Sequence, residues 1–182
     1  QLLCATLLSA QCTDKRVNEV TPALFRQYPT AELMAKAEPE DMLEFIRSVS
    51  YPNSKARHLV EMARMIVTDF KGEIPDTTAE LVKLPGVGRK TANIVMNNVF
   101  GVVEGIAVDT HVNRIAHKLG LVVPKRETDP NKVEAQLLGL IPRELWGPVN
   151  HQWVLFGREY CDAKRPRCGE CPLADICPSA GK

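Results

Sequence analysis

An all-α fold is predicted by three features of the sequence. No stretch keeps the period-two alternation of β-branched and aromatic residues that marks a strand, apolar residues recur at helical spacing throughout, and candidate caps punctuate those runs. The clearest helix spans residues 54–70, where Ala56, Leu59, Val60, Ala63, Ile66, Val67 and Phe70 form one stripe and Gly72 follows near its end. Ahead of it, residues 14–28 place Val17, Val20, Leu24 and Phe25 on one face, with Pro22 expected to kink that helix or lie near its end. Residues 39–49 give a shorter helix. Thr77 and Glu80 have capping-box spacing before Leu81, Val82 and Leu84, and the run stops at Pro85-Gly86. A further helix is predicted from about Gly88 to Gly101. Asp109 stands where an N-cap belongs for a helix holding Val112, Ile115, Ala116 and Leu119, which Gly120 closes. Two more helices are predicted over residues 130–141 and 148–160, joined by Pro-rich connections.

Composition narrows the function classes. With 182 residues, 45% of them hydrophobic and 25% charged, the chain can bury a core without disulfides or a partner subunit, so a monomer is expected. Its apolar runs fall short of the roughly 18 residues of a membrane span, and no signal-peptide pattern opens it. A cytoplasmic location, nucleoid-associated in a bacterium, is the expectation. Gln1 to Leu8 read as the middle of a buried helix with no cap before it, which predicts a missing N-terminal segment. The net charge of +1 gives no global signal for nucleic acid, so any basic surface is local. Of the six cysteines, four crowd between Cys161 and Cys177, which points to metal ligation rather than a secreted disulfide framework. Cys4 and Cys12 sit alone in apolar surroundings and read as core residues.

Residues 84–93, Leu-Pro-Gly-Val-Gly-Arg-Lys-Thr-Ala-Asn, compress a helix, a glycine turn and a second helix into one decapeptide. Gly86 and Gly88 permit a sharp turn, so the N–H groups opening the second helix face outward with the positive helix end behind them, a cradle for phosphate. Arg89 adds charge there. Lys90 is electrostatically awkward at a helix N-terminus, and only a small fraction of an ordinary lysine is neutral at pH 7, so a nucleophilic role needs desolvation and cationic neighbours. The decapeptide resembles the helix-hairpin-helix of DNA glycosylases, and the form with Lys90 resembles that of the endonuclease III family.

The resemblance extends from Leu2 to about Pro178. The segment Val108-Asp109-Thr110-His111-Val112-Asn113-Arg114 is similar to the one that supplies that family's catalytic aspartate, which implies Asp109, although its N-cap position already accounts for a carboxylate. His111 and Arg114 read as supporting residues. Cys161, Cys168, Cys171 and Cys177 have the spacing C-x6-C-x2-C-x5-C, which by itself suits tetrahedral zinc or an iron-sulfur cluster. The same spacing after Gly-Arg-Glu-Tyr-Cys resembles the family's 4Fe-4S site. Between the first two cysteines Lys164, Arg165 and Arg167 would offer cations to a phosphate backbone.

What the resemblance implies is base-excision repair: an N-glycosylase for oxidised pyrimidines in double-stranded DNA that is also a lyase at abasic sites, working through a Lys90 Schiff base. Residues 1–102 would form a helical barrel lobe with the hairpin and residues 103–182 a cluster lobe, with a DNA cleft between. Flipping a nucleotide leaves a gap. In Leu8-Ser9-Ala10-Gln11-Cys12-Thr13-Asp14 the resemblance implies Gln11 as one plug. The family's second loop reads Gly, an aliphatic, Tyr, Asn, then Ser-Lys-Ala; here Ser50-Tyr51-Pro52-Asn53-Ser54-Lys55-Ala56 departs from it. Pro52 should stiffen the loop and bias Tyr51 toward extended backbone, leaving its ring to stack on a base. Two rival readings fit the sequence. An adenine-mismatch glycosylase shares the fold and cluster but lacks the nucleophilic lysine, and a non-catalytic DNA-binding module would need neither Lys90 nor Asp109.

Overall fold

The structure, a computed structural model, describes residues 1–124 and 127–181. Among them every regular element is helical. The chain divides into two compact units, Gln1–Val102 and a second beginning at Val103. No helix among the described residues is long and apolar enough to cross a membrane.

The first unit is built around one long helix. Pro52 opens it at a position where a missing N–H costs nothing, and it runs over Pro52–Asp69 (call it α5 in chain order) with Ala56, Leu59, Val60, Ala63 and Ile66 buried along one face. Helices α1 (Leu2–Leu8), α3 (Ala31–Ala35) and α4 (Pro39–Ile46) pack on it. Between α1 and α3 lies α2, Asp14–Gln27, opened by Thr13, whose hydroxyl accepts from the Arg16 N–H at 3.3 Å. Pro22 lies inside α2 and does not end it. Fully burying an aliphatic side chain stabilises by about 1.5–3 kcal/mol, so cutting Leu59 to Ala in this core should cost about 2–5 kcal/mol. Cys4 and Cys12 lie half-buried against the same core.

Beyond α5, a short α6 (Thr78–Leu81) and α7 (Arg89–Val95) flank the glycine turn. Thr77 caps α6, but its hydroxyl donates to Glu80 Oε2 at 3.0 Å, so the reciprocal carboxylate-to-backbone half of a capping box is replaced by a side-chain pair. The run predicted to Gly101 is α-helical only to Val95. Met96–Phe100 widens to a π-helix, and Gly101 stops it at φ 67°.

In the second unit α8 (Thr110–Lys118) packs against α9 (Pro130–Leu140) and α10 (Trp146–Glu159). Its core is small. Ile106, Val108, Val112, Ala116, Val122, Val133, Leu137 and Val149 make it up, with Trp146 and Trp153 packed against its edge.

Candidate functional site

The hairpin is fixed by one glycine. Gly86 sits at φ 77°, and a Cβ there would lie 2.9 Å from both His58 Nδ1 and Leu7 Cδ1, so conformation and space each demand glycine. The Val87 N–H bonds back to the Leu84 carbonyl at 3.0 Å, and both side chains are buried, which anchors the turn in the core. Gly88 then serves as N-cap of α7, with open space around it. Arg89 and Lys90 fall in the first turn, where backbone N–H groups lack partners within the helix. Both side chains are exposed. No hydrogen bond or ion pair holds the Lys90 ammonium among the described residues. Water reaches it, so the desolvation predicted from sequence is not supplied by the chain itself.

Gln11 and Tyr51 come together in this unit. The Ser50 hydroxyl donates to the Gln11 carbonyl at 2.6 Å, joining the loop after α1 to the loop before α5. Both residues are exposed, Tyr51 at 64%. Tyr51 is not extended as predicted: it has φ 55° and ψ 50°, in the left-handed region, as N-cap of α5. Proline disfavours right-handed helical backbone before it, and the usual escape is extended. The Tyr51 carbonyl accepts from the Lys55 N–H at 3.1 Å, and the preceding residue, Ser50, is tied to Gln11.

Asp109 belongs to the second unit. Its Oδ1 accepts from the His111 and Val112 N–H groups at 2.8 and 2.9 Å, capping α8. Oδ2 has no hydrogen-bond partner among the described residues, so one oxygen of the half-buried carboxylate is spent on the cap and the other is not. The segment leading to it is held by two residues that sequence reading passed over. Asn150 Nδ2 donates to the Ala107 carbonyl at 2.7 Å, and the buried Glu134 carboxylate accepts from the Ile106 N–H at 3.2 Å. Nothing local in the sequence signals either, since both act across long separations.

Further along α8, Arg114 donates through Nε to the Cys161 carbonyl at 3.0 Å and through a terminal nitrogen to His111 Nδ1 at 3.0 Å. Burial pushes the His111 pKa below its usual value, which keeps Nδ1 free to accept. Gly157 of α10 packs on this pair: an added Cβ would be 2.6 Å from His111 Nδ1 and 2.8 Å from an Arg114 nitrogen.

Cys161, Cys168, Cys171 and Cys177 all line one cavity, walled by Ile115, Leu119, Phe156 and Leu173. None is in a disulfide, and burial pushes the Cys161 thiol up while the Arg114 guanidinium pulls it down. Among the described residues no three metal-binding side chains close on a single ion position. Four soft donors spread around an apolar cavity fit a polynuclear cluster better than one zinc. In the loop between, Asp162 Oδ1 accepts from the Lys164 and Arg165 N–H groups at 2.8 and 2.9 Å, fixing the backbone while both side chains stay exposed. Arg167 is engaged elsewhere: it bonds the Glu159 carbonyl, lies over the Tyr160 ring at 5.6 Å and pairs with Glu170 at 3.6 Å.

Comparison with known proteins bears on both units. The family described as HhH-GPD superfamily base excision DNA repair protein matches residues 4–143, and the iron-sulfur binding domain of endonuclease III matches residues 161–177. Endonuclease III of Synechocystis sp. is 47% identical over 99% of this chain and 81% of its own, and that of Bacillus subtilis is 42% identical over 100% and 82%. A solved structure, a trapped endonuclease III–DNA covalent intermediate, superposes with a TM-score of 0.92 at 42% identity, over 98% of this chain and 83% of that one.

Proposed function

Since the chain belongs to the endonuclease III family of base-excision repair, DNA glycosylases with AP-lyase activity, we propose that Lys90 is its nucleophile and Asp109 its catalytic carboxylate. The substrates in this reading are oxidised pyrimidines and abasic sites in double-stranded DNA. The observation that carries it is the exposed Lys90 at the outset of α7, on a turn whose Gly86 admits no side chain. A rigid turn presents the amine, and the backbone N–H groups that open α7, which lack partners within the helix, suit phosphate.

The reaction follows from these two groups. As the neutral amine, Lys90 Nζ forms a bond to C1′ while the C1′–N bond to the base breaks, its electron pair leaving on the base, which takes up a proton. Asp109 Oδ2, left free by the cap, stabilises the positive charge growing on the sugar and accepts the proton that Nζ must lose. Ring opening converts the adduct to a protonated Schiff base. Loss of a C2′ proton then expels the 3′ phosphate by β-elimination. DNA covering Lys90 would supply the desolvation that the protein alone does not. Lys164 and Arg165 would meet backbone phosphates, giving affinity and salt sensitivity without sequence preference. Arg167, tied to the end of α10, would shape that loop more than touch DNA.

The chain carries the endonuclease III iron-sulfur domain, and its relatives' 4Fe-4S cluster would be held by Cys161, Cys168, Cys171 and Cys177. Bound there, such a cluster would cross-link the loop through its four thiolate ligands. The chemistry at the sugar needs only Lys90 and Asp109.

Purified protein on a duplex with thymine glycol should release the base and cut the strand. Lys90→Ala should lose both activities, and Asp109→Asn should slow base release by about 10²–10⁴-fold with lesion binding retained. Release of undamaged adenine from a mismatch with the strand left intact would overturn the assignment.

A further inference from the structure

Among the described residues Lys55 is the one lysine the fold buries, at 5% exposure. Its ammonium donates to the Leu8 carbonyl at 2.8 Å and the Ala10 carbonyl at 2.7 Å, where α1 ends and its last carbonyls would otherwise lack partners. Its backbone N–H, at the start of α5, holds the Tyr51 carbonyl at 3.1 Å. One residue therefore grips both loops, the Gln11 loop by its side chain and the Tyr51 loop by its backbone. Ser50 adds a direct link to the Gln11 carbonyl at 2.6 Å.

A lysine can close a helix C-terminus and is favoured there by the dipole, but this one is buried to do so. Burying a cation is costly even where two carbonyls receive it. Stability alone gives poor reason for it. What the arrangement secures is orientation: Gln11 at φ 52° and Tyr51 at φ 55° are both non-glycine residues held left-handed, with both side chains in water. Backbone held in a sparsely populated region needs surroundings that over-determine it, and the Lys55 and Ser50 bonds are those surroundings.

We propose that Lys55 is a positioning residue, which with Ser50 locks the Gln11 and Tyr51 loops into one rigid unit that enters duplex DNA together when a nucleotide is flipped. The inference rests on reading Gln11 and Tyr51 as the residues that fill the gap. Rigid insertion spares the ordering cost of two separate loops, and only a duplex presents the gap.

The test compares excision of the same lesion from duplex and from single-stranded DNA, together with 2-aminopurine fluorescence opposite an abasic analogue to report gap filling. Lys55→Met, which keeps the stem and removes the donors, should lower duplex excision about tenfold and single-strand excision less than about threefold, and weaken the fluorescence change. Lys55→Arg should restore the duplex rate to within about threefold, because guanidinium can reach two carbonyls. Ser50→Ala, at a half-exposed site, should shift the ratio the same way by about threefold. Equal losses on both substrates in Lys55→Met overturn the proposal; if that variant does not fold, an unchanged ratio in Ser50→Ala does. Gln11→Ala and Tyr51→Ala separate the two readings. Should they lose duplex preference while Lys55→Met keeps it, the coupling fails and the wedges stand; should they keep it, the wedge reading itself falls.

Discussion

Residues 1–102 and the unit that follows them hold the two side chains proposed to react, Lys90 and Asp109, by different means. In the first, Lys90 stands on a turn whose flanks, Leu84 and Val87, are sunk in a broad apolar core reaching from Leu3 to Met96. In the second, among the described residues, Ile106, Ile115 and Leu137 are the only large side chains fully buried, and Asp109 is held by hydrogen bonds: its own cap, Asn150 on Ala107, Glu134 on Ile106. A thin core needs a staple, and a cluster on the four cysteines would supply one. The comparison teaches that the amine is positioned by packing and the carboxylate by polar contacts in a thin unit, so the two should fail under different insults.

The largest expected effect is removal of the staple. Cys168→Ser, or iron chelation, should leave residues 1–102 folded while protease cuts beyond Val103 at least about tenfold faster than in the loaded protein. Uniform protection along the chain would show that the second core suffices alone.

Next is the turn under Lys90. Gly86→Ala forces a left-handed alanine against His58 and Leu7, and urea unfolding should register about 2–4 kcal/mol of lost stability. Gly88→Ala, entering open space, should cost under about 1 kcal/mol. Equal costs would mean that the hairpin is not anchored as described. In the second unit Gly157→Ala should cost about 1–3 kcal/mol, since its new methyl meets His111 and Arg114, two groups already bonded to each other.

The smallest effect is a pH dependence confined to the second unit. The His111 pKa is depressed by burial, so the unfolded chain binds the proton more readily than the folded one. Stability should fall as pH drops below about 6.5, the unfolded value, and the Arg114 contact should be lost with it. A smaller drop in Tm between pH 7.5 and 5.5 for His111→Asn than for the unaltered protein checks this; parallel drops would assign acid sensitivity elsewhere.

Much of this was legible in the residues. The stripe of α5, the Asp109 cap and the four-cysteine loop all depend on neighbours close in sequence, and local patterns report local physics. The conformation of Tyr51 was misread because the pre-proline rule sees only Pro52, whereas the neighbouring Ser50 is tied to Gln11, far away in the chain. Lys55 itself hid in plain sight. A lysine in the first turn of a helix reads as solvated, and only partners at Leu8 and Ala10, far away in the chain, make burial possible. Asn150 and Glu134 escaped for the same reason. Pro22 inside α2 and the π-helix after Val95 show tertiary packing overriding propensity.

The central claim is that Lys90 carries the covalent chemistry. Reacting the unaltered protein with an abasic-site duplex under borohydride, digesting the reduced adduct and sequencing it by mass spectrometry locates the modified amine directly. The account predicts the sugar remnant on Lys90 Nζ, with Lys55 and the chain's amino terminus unmodified. A remnant on any other amine would contradict it.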